Sequence, residues 1–538
     1  MSNYTKLIKR LNKVVEVELL ANNVDDYLAS KSPSFSDLLQ LAQYLVDRQF
    51  REQALDLLIK TSEIYGARIE IFMQAGELAL RLNLDELAVK MFTFACQLDP
   101  SISTNFHHLA EALRREQDYD QAIEVLKVAL EKFPEEAPLW HALGVIYYEY
   151  TKDHDTAITF VIGANRLSPR TAAYYLTLGN LYYQSRFAER YYKIGIDFEP
   201  DHPELNKAYG IFLLLSGRME EAWPHYEYRL ECEDNLFEYD VPLGTKWDCK
   251  ARLSGPILVL AEQGIGDEVA FSPLFADLIK EHTPVYIACE ARLLGIFERS
   301  FPSAHVFAYE DVFEFDRRIR TIPMLRQAIE SGELSAPSSF IHAGSLMQKY
   351  WRTYEDLQKR HGNVLKPSDP VVDKLKPFIE DNGRKKIAIS WTSQKLKGLR
   401  RSQYYSYDVF ADIAQRTDAD FYILQYDCPE DVRKKLCKSP NIHSFEGIDL
   451  KADVESNLAI LSMMDLAIGP FIATQAFAAS VGTPVWGLHS CESFFMFGHK
   501  GLPNLYAPGS RWVLDYHAKG QTVDAMIEDL VSGINAID

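Results

Sequence analysis

The chain has 538 residues, of which 47% are hydrophobic and 25% are charged, and its formal net charge is −19. A chain of this length exceeds a single domain and predicts about three or four domains. Its acidity excludes general binding to nucleic acid or to anionic membranes, although it leaves room for a local basic pocket that holds a phosphate.

The cysteines and the apolar segments predict a cytoplasmic protein. Seven cysteines are scattered through the chain without any Cys-x-x-Cys pair, which argues against a zinc site and is typical of reduced thiols in a cytosol. The charged residues 1–13 are not followed by a long apolar run, so we expect no secretory signal. No apolar stretch approaches about 18 residues, so we expect no membrane span.

The first part of the chain repeats itself. Pro100, Pro134 and Pro169 each close a segment of one type, at intervals of about 34 residues, and a shorter copy ends at Pro200. The copies share other positions: Trp140, Leu143, Gly144 and Tyr147 match Tyr175, Leu178, Gly179 and Tyr182, small residues recur at Ala88, Ala122 and Ala157, and large apolar residues follow at Phe92 and Phe160. The pattern resembles the tetratricopeptide repeat, a pair of helices of about 34 residues.

We therefore predict a helical repeat domain over residues 1–233, in which residues 1–66 form degenerate or capping repeats. Stacked repeats bury their apolar faces against one another and form a superhelix with a concave groove. We expect this groove to hold a peptide or protein partner. The alternative is a rigid spacer or a dimerisation arm.

The second half alternates short β-rich runs with helical patterns, which predicts parallel sheets covered by helices. The predicted strands are 257–261, 285–289, 305–308, 340–342, 386–391, 421–426, 442–445, 466–469, 485–489 and 512–515. Prolines at 367 and 370 indicate a break between two units. We predict a linker at 234–254, a first Rossmann-like domain at 255–368 and a second at 369–538, with ligands bound in the cleft between them.

The sharpest motif joins the strand at 257–261 to a following helix through Gly264 and Gly266. Both glycines allow a ligand to approach the backbone closely. Asp267 is expected at the positive start of the helix, where an ionised carboxylate is favoured and can accept a proton from an acceptor hydroxyl. The alternative for Asp267 is a helix N-cap. A dinucleotide-binding fingerprint is a poorer interpretation, because Val269 holds the third glycine position.

Two later regions are candidates for binding a phosphorylated donor. One strand leads into Trp391 and Thr392, and a basic loop follows with Lys395, Lys397, Arg400, Arg401 and Ser402. A second strand leads into a helix that starts near Ala473, whose first N–H groups would face a phosphate, with Thr474 and Gln475 alongside. The alternatives are a solvated surface loop and an ordinary strand–helix turn.

The segment 261–267 resembles the opening motif of bacterial glycosyltransferases that carry N-terminal tetratricopeptide repeats, and it is similar to the Gly-Asp motif of the heptosyltransferases. The match continues upstream at 222–229 and downstream at 344–346, and it extends from about residue 70 to the C-terminus. The layout also resembles O-GlcNAc transferase. This resemblance implies a GT-B fold of two Rossmann-like domains, Asp267 as the base, and a nucleotide site at Trp391, Arg401 and Ser402.

The resemblance also implies the activity. Its members modify proteins, flagellins among them, and use a nucleotide-sugar rather than a bound cofactor. We expect an inverting, metal-independent glycosyltransferase; the Asp-x-Asp at 418–420 precedes a strand, which is the wrong end of a sheet for a metal in the cleft.

The sequence departs from the pattern at Phe471-Ile472, where many relatives have Asp-Thr, and at Ala476, where they have His. We expect Thr474 and Gln475 to substitute for the lost donor contacts. The alternative is a non-catalytic repeat scaffold with a degenerate transferase fold.

Overall fold

The computed structural model describes residues 34–47, 51–151, 153–183, 185, 187–232, 237–262, 264–314, 317–353, 355–356, 363–393, 404–470, 472–489, 493–494, 498–499, 510–514 and 523–537. The chain forms two compact units. One comprises Met1–Leu205 with Val312–Ile319, and the other Asn206–Asp311 with Arg320–Asp538. Helical repeats form most of the first unit, which also includes the adjoining ends of two strands of the first sheet within 312–319; the rest of both sheets lies in the second unit.

The repeats consist of consecutive helix pairs. The helices up to residue 226 are α1 (Phe35–Asp47), α2 (Arg51–Tyr65), α3 (Ile69–Arg81), α4 (Asp85–Leu98), α5 (Ser103–Glu116), α6 (Tyr119–Lys132), α7 (Ala137–Ile146), α8 (His154–Leu167), α9 (Ala172–Leu181), α10 (Ala188–Phe198), α11 (Pro203–Leu215) and α12 (Met219–Tyr226). The recurring small residues Ala88, Ala122 and Ala157 are fully buried. They are small because the paired helices cross closely: a Cβ on Gly144 would lie 2.6 Å from the side chain of Val161. The predicted tetratricopeptide superhelix is confirmed.

One repeat is longer by a residue, and the helix geometry absorbs the extra residue. Pro134 to Pro169 spans 35 positions (169 − 134), whereas Pro100 to Pro134 spans 34 (134 − 100). Helix α7 continues directly into a π-helical turn at Tyr147–Thr151. A π-turn takes more residues than an α-turn and so accommodates an insertion without breaking the helix.

The first sheet has seven strands: β1 (Glu238–Tyr239), β2 (Thr245–Lys246), β3 (Ile257–Leu260), β4 (Val285–Glu290), β5 (His305–Glu314), β6 (Arg317–Thr321) and β7 (Ser339–His342). Their order is β1-β6-β5-β4-β3-β7-β2. Strand β3 pairs in parallel with β4 on one side and β7 on the other. All four residues of β3 are buried, since helices cover both faces of a parallel sheet.

The helices of this part are α13 (Ile265–Glu281), α14 (Leu294–Ser300), α15 (Pro323–Glu330) and α16 (Met347–Tyr350). Helix α13 connects β3 to β4, and α14 connects β4 to β5. Among the helices of the described residues, none is both long and apolar enough to cross a membrane.

The second sheet has six strands: β8 (Lys385–Ile389), β9 (Ala419–Ile423), β10 (Ile442–His443), β11 (Leu466–Pro470), β12 (Val485–His489) and β15 (Arg511–Leu514). Their order is β10-β9-β8-β11-β12-β15, and every neighbouring pair is parallel. Two short strands, β13 (Ser493–Phe494) and β14 (Gly498–His499), pair separately. The predicted parallel-sheet α/β content is confirmed.

The helices of the second sheet are α17 (Asp369–Leu375), α18 (Tyr407–Gln415), α19 (Glu430–Leu436), α20 (Val454–Ser462), α21 (Ala473–Ser480) and α22 (Val523–Asn535). Strands β8 and β9 are joined through α18, and β11 and β12 through α21. This strand order changes direction between β8 and β11, where a doubly wound sheet opens a crevice at its carboxyl edge.

Two segments within the predicted linker at 234–254 are strands of the first sheet. They are residues 238–239 and 245–246, and the backbone N–H groups of Thr245 and Trp247 donate to the carbonyl oxygens of Ser338 and Phe340. These edge strands are too short and polar to show an alternating pattern in the sequence. They are strands because their backbone pairs with distant residues. The predicted boundary at 233 also differs from the structure, since α12 and most of α11 belong to the unit that contains the sheets.

Candidate functional site

The first half of the candidate site lies where β3 ends. Helix α13 follows at once, its N-cap is Gly264, and Asp267 is the third helical residue. The Asp267 backbone N–H donates to the Gly264 carbonyl oxygen at 2.9 Å, and its half-buried carboxylate lies 4.0 Å from the position that a Cβ on Gly264 would take. The alternative role of Asp267 as N-cap is therefore wrong, because Gly264 occupies that position. The carboxylate stays at the positive end of the helix.

The second half lies where β8 ends. Gln425, which belongs to none of the sequence motifs, holds this loop: its Oε1 accepts the N–H groups of Trp391 at 2.9 Å and Thr392 at 3.0 Å, and its Nε2 donates to the Thr392 carbonyl oxygen at 3.0 Å. Trp391 is buried and packs on Phe410. The indole thus belongs to the core, while Thr392 remains at the edge of the sheet. A lone polar residue just after the buried strand β9 was the available signal.

Helix α21 begins at Ala473, as predicted. Gln475 ties this helix start to the end of β8: its Oε1 accepts the N–H of Ile472 at 3.4 Å, and its Nε2 donates to Ser390 Oγ at 3.0 Å. Gln475 is 1% exposed and Thr474 is 3% exposed. Oε1 and Nε2 of Gln475, which was predicted to contact the donor, therefore both bond to other groups of the protein. This side chain positions the start of the helix.

The two halves meet at Gly266. A Cβ on Gly266 would lie 3.3 Å from Cα and 3.4 Å from Cβ of Ala473. The start of α13 and the start of α21 consequently touch, each at the carboxyl edge of its own sheet. The close approach of a ligand to Gly266 stays a prediction, and the structure adds a close approach of Gly266 to Ala473. Gly264 has an ordinary extended backbone and open space around it.

We predict that Gly266→Ala destabilises the protein by about 1 kcal/mol, because the shift of a few tenths of an ångström that the new methyl group demands of Ala473 outweighs the gain in helix propensity from replacing glycine. Gly264→Ala is the matched control, two residues away and with no crowding, and should change stability by less than about 1 kcal/mol. Urea unfolding followed by circular dichroism measures both. Equal stability of the two variants would contradict the close contact.

The predicted basic-loop residues Lys397, Arg400, Arg401 and Ser402, together with Lys395, lie outside the described residues. Their assignment to a phosphate stays a prediction. Asp418 and Asp420 lie at the opposite edge of the second sheet, at the start of β9. Asp420 is buried and accepts from His443 Nε2 at 2.9 Å and from Asn382. Within the part of the chain that the structure describes, no three His, Cys, Asp or Glu side chains form a metal-binding group.

The three segments that carried the sequence resemblance converge on one buried ion pair. Arg229 Nη2 donates to Glu262 Oε1 at 2.9 Å and to Ser345 Oγ at 3.0 Å. Glu262 Oε1 also accepts the N–H of Gly344 at 2.7 Å, and a side chain at Gly344 would collide with both members of the pair. Burial alone would raise the pKa of Glu262, but the charge of Arg229 holds it below its ordinary value.

A second carboxylate completes this network. Glu227 accepts from Ser345 Oγ at 2.8 Å, from Arg229 Nη1 at 3.1 Å, from Gln348 Nε2 at 2.9 Å and from Lys246 Nζ at 2.9 Å. Against the cost of burial, the charges of Arg229 and Lys246 lower the pKa of Glu227 to about 2. The end of α12 is thereby joined to the loops that follow β3 and β7. The motifs at 222–229 and 261–267 contain Glu227, Arg229 and Glu262, but nothing in their spacing indicates that these opposite charges pair.

The loop after β3 is held from its other side by Arg320, which is 1% exposed. Arg320 Nη1 donates to the carbonyl oxygens of Ala261 at 3.1 Å and Glu262 at 2.8 Å, and its guanidinium lies 4.2 Å from the ring of Tyr309. Tyr309 in turn donates to Glu268 Oε1 at 2.8 Å. Two buried arginines therefore fix the backbone that leads to Asp267.

Burial raises the pKa of Glu268 to about 8, so we predict a stability that falls with pH. Between its ordinary value and about pH 8, the folded protein holds a proton that the unfolded chain has lost, and the free energy of unfolding decreases as pH rises. His342, whose pKa burial lowers to about 4, is neutral in both states above its ordinary value. Unfolding in urea at pH 6.5 and pH 8 should show the decrease in the wild type, and Glu268→Gln should reduce it. An unchanged decrease in the variant would contradict the assignment.

Comparisons with known proteins agree with the repeats and extend the match into the sheets. The tetratricopeptide repeat family profile matches residues 105–146. Protein FlbA of Caulobacter vibrioides (strain ATCC 19089 / CIP 103742 / CB 15) is 30% identical over 446 residues, which cover 80% of this chain and 72% of that protein. BBSome complex member BBS4 of Bos taurus is 26% identical over 204 residues, which cover 36% of this chain and 38% of that protein.

Among solved structures, a thermophilic TPR protein of Thermus thermophilus is 23% identical; the match covers 34% of this chain and all of that one, with a TM-score of 0.30. The FlbA match covers 80% of the chain, which is more than either compact unit contains. The match therefore includes residues of both the repeats and the sheets. The chain is therefore a tetratricopeptide-repeat protein that belongs to the family of Protein FlbA.

Proposed function

We propose that this protein is a metal-independent, inverting glycosyltransferase that moves a sugar from a nucleotide-sugar to a hydroxyl group of a protein acceptor. One observation supports the proposal: the start of α13 at Gly266 closely approaches the start of α21 at Ala473, and each helix start follows the carboxyl end of a strand of its own sheet. Ligands of such sheets bind at the carboxyl edge where the strand order reverses. We propose that the two sheets form the GT-B arrangement that the family resemblance of the motif at 261–267 implies.

The chemistry assigned to the crevice follows from its two helix starts. Asp267 would accept the proton of the acceptor hydroxyl as the new bond to the anomeric carbon forms and the bond from that carbon to the phosphate oxygen breaks. The positive end of α21 would stabilise the charge of the departing phosphate. Lys397, Arg400 and Arg401 are proposed as further phosphate contacts, with Thr392 at the same edge of the second sheet.

For the acceptor, we propose the groove of the repeats. Tetratricopeptide repeats bind extended protein segments along their concave surface, and an acceptor protein needs such a surface in addition to the small site where its hydroxyl reacts. The family resemblance suggests Ser or Thr residues of a flagellin. We propose a cytoplasmic location for this modification.

A second candidate function is a non-catalytic scaffold. The start of α21 favours this alternative, because its side chains offer little to a donor. Ala476 is small, Thr474 is buried, and Gln475 is already hydrogen-bonded within the protein. On this alternative the repeats bind a protein and the crevice binds nothing.

A thermal shift screen of the purified full-length protein against UDP-sugars and CMP-sugars separates the two functions. The transferase proposal expects one donor to raise Tm progressively, with the logarithm of its concentration once that exceeds its Kd. The scaffold alternative expects no shift from any nucleotide-sugar, together with retained capture of flagellin. The second pattern would overturn the proposed transferase.

A further inference from the structure

The buried network around Arg229 and Glu262 has no part in the proposed chemistry, yet it surrounds the loop that precedes Asp267. Glu262 lies on this loop, and its carboxylate is fixed by Arg229 and by the N–H of Gly344. On the opposite side, Arg320 holds the carbonyl oxygens of Ala261 and Glu262. The backbone that enters α13 is therefore fixed by side-chain contacts from three separate parts of the chain.

The network also reaches the region of Asp267 through Tyr226. The Arg229 guanidinium lies 4.8 Å from the ring centre of Tyr226. Burial raises the pKa of the Tyr226 hydroxyl, and the negative charges of Glu262 and Asp267 add to the effect despite the opposing charge of Arg229. Glu262 and Asp267 are thus each close enough to Tyr226 to act on it electrostatically, so the network and Asp267 share Tyr226 as a neighbour.

Stability alone does not account for a buried ion pair at this position. Removing two charges from water costs about as much as their attraction returns, and well-packed apolar residues of similar volume often serve a fold as well or better. A buried charged network does provide fixed geometry, because each hydrogen bond specifies a direction and a distance. Such geometry matters next to a group that must meet its substrate within a fraction of an ångström.

We infer that Glu262 and Arg229 are positioning residues, which fix the loop between β3 and α13 so that the Asp267 carboxylate meets the acceptor hydroxyl. The inference rests on the proposed function. It links the end of α12 to the reacting groups through Ser345, since this hydroxyl bridges Arg229 and Glu227. The residues of the network act through Asp267 and are not themselves expected to touch the sugar.

The test compares Glu262→Gln with the wild type in the full-length protein. Glutamine keeps an oxygen that can accept from Gly344 and Arg229 but removes the charge. Nucleotide release from UDP-sugars and CMP-sugars, with flagellin as acceptor, gives kcat and the donor KM. We expect kcat to fall by about tenfold to a hundredfold while the donor KM stays within about twofold. Amide hydrogen exchange over residues 261–268 should become faster.

Two further variants separate positioning from general loss of stability. Tyr286→Phe removes a 3.0 Å hydrogen bond to the Ser335 carbonyl oxygen elsewhere in the same sheet; it should lower Tm and leave kcat unchanged. Ser345→Ala removes the bridge between Arg229 and Glu227 and should lower kcat by a smaller factor than Glu262→Gln. If Glu262→Gln does not fold, Ser345→Ala provides the decisive comparison.

The outcomes distinguish this inference from the proposed function. If the wild type releases no nucleotide from any donor, the proposed function fails, and the exchange of residues 261–268 alone decides whether the network fixes the loop. Wild-type turnover with unchanged kcat in Glu262→Gln and Ser345→Ala would overturn the positioning role. Unchanged exchange over 261–268 in both variants would overturn it as well.

Discussion

Asp267→Asn is expected to reduce sugar transfer by about 10²-fold to 10⁴-fold, the range that a positioned acid or base contributes. Asparagine has nearly the same shape but does not accept the acceptor proton. Donor affinity should change little, because Thr392 and the start of α21, two of the proposed phosphate contacts, belong to the second sheet and its helices. Stability should fall by no more than about 0.3–1 kcal/mol, the usual value of a carboxylate in the first turn of a helix. Mass spectrometry of the acceptor measures the loss of sugar transfer, and the Tm of the variant measures the change in stability.

The control for this substitution lies in the same helix. Asp277 is a carboxylate of α13 that pairs with Lys280 at 3.6 Å, away from the helix start. Asp277→Asn should leave turnover unchanged. If Asp267→Asn turns over as fast as Asp277→Asn and the wild type, Asp267 is not the base, and its place in the first turn serves only the helix.

The second large effect is on stability. Arg229→Met should lower the free energy of unfolding by about 3–5 kcal/mol, because it leaves Glu262 and Glu227 buried without their main counter-charge. Methionine fills much of the volume of the arginine stem, so packing contributes less to the loss than charge does. Urea unfolding followed by circular dichroism measures the change. The double variant Arg229→Met with Glu262→Gln should recover part of the stability, since it removes one unpaired charge.

An exposed ion pair in the same region gives the comparison. Arg352 pairs with Glu220 at 2.7 Å, and both side chains are about 60% exposed to solvent. Arg352→Met should cost less than about 1 kcal/mol, because solvent screens such pairs. A loss in Arg229→Met no larger than that in Arg352→Met would show that water reaches the network and that its ion pair is not buried.

Much of the fold could be predicted from the sequence because it depends on local patterns. The recurring alanines and prolines indicated the repeats, since each repeat is one helix pair with the same crossing. Buried parallel strands such as 257–260 and 466–470 read as short apolar runs between helical segments. The start of α21 at Ala473 was also predictable. Polar edge strands such as Thr245–Lys246 were not, because only their pairing with distant backbone makes them strands.

The candidate site was predictable in part for the same reason. The glycine turn after a buried strand predicted that Asp267 lies at the start of a helix. It did not predict whether Asp267 is the N-cap or the third helical residue. The contact of Gly266 with Ala473 joins residues more than 200 positions apart, and the pairing of Arg229 with Glu262 joins two separate motifs. Sequence spacing carries no information on such pairs, so their roles required the three-dimensional arrangement.

The network also changes where the chain can be divided. A fragment that begins at the predicted boundary near Asp234 would lose Arg229 and Glu227 and would leave Glu262 buried without its partner. A fragment that contains both sheets should begin at or before Asn206, where the second compact unit starts. Experiments that separate acceptor binding from chemistry need this longer fragment.

The measurement that tests the central claim most directly is nucleotide release by the full-length protein. Each UDP-sugar and CMP-sugar is incubated with protein and flagellin, and the mass of the flagellin is determined alongside the nucleotide released. The transferase proposal predicts one donor whose nucleotide is released in step with a mass increase of one sugar per acceptor site, both lost in Asp267→Asn. Release from no donor, with flagellin still captured by the folded protein, would contradict it and favour the scaffold.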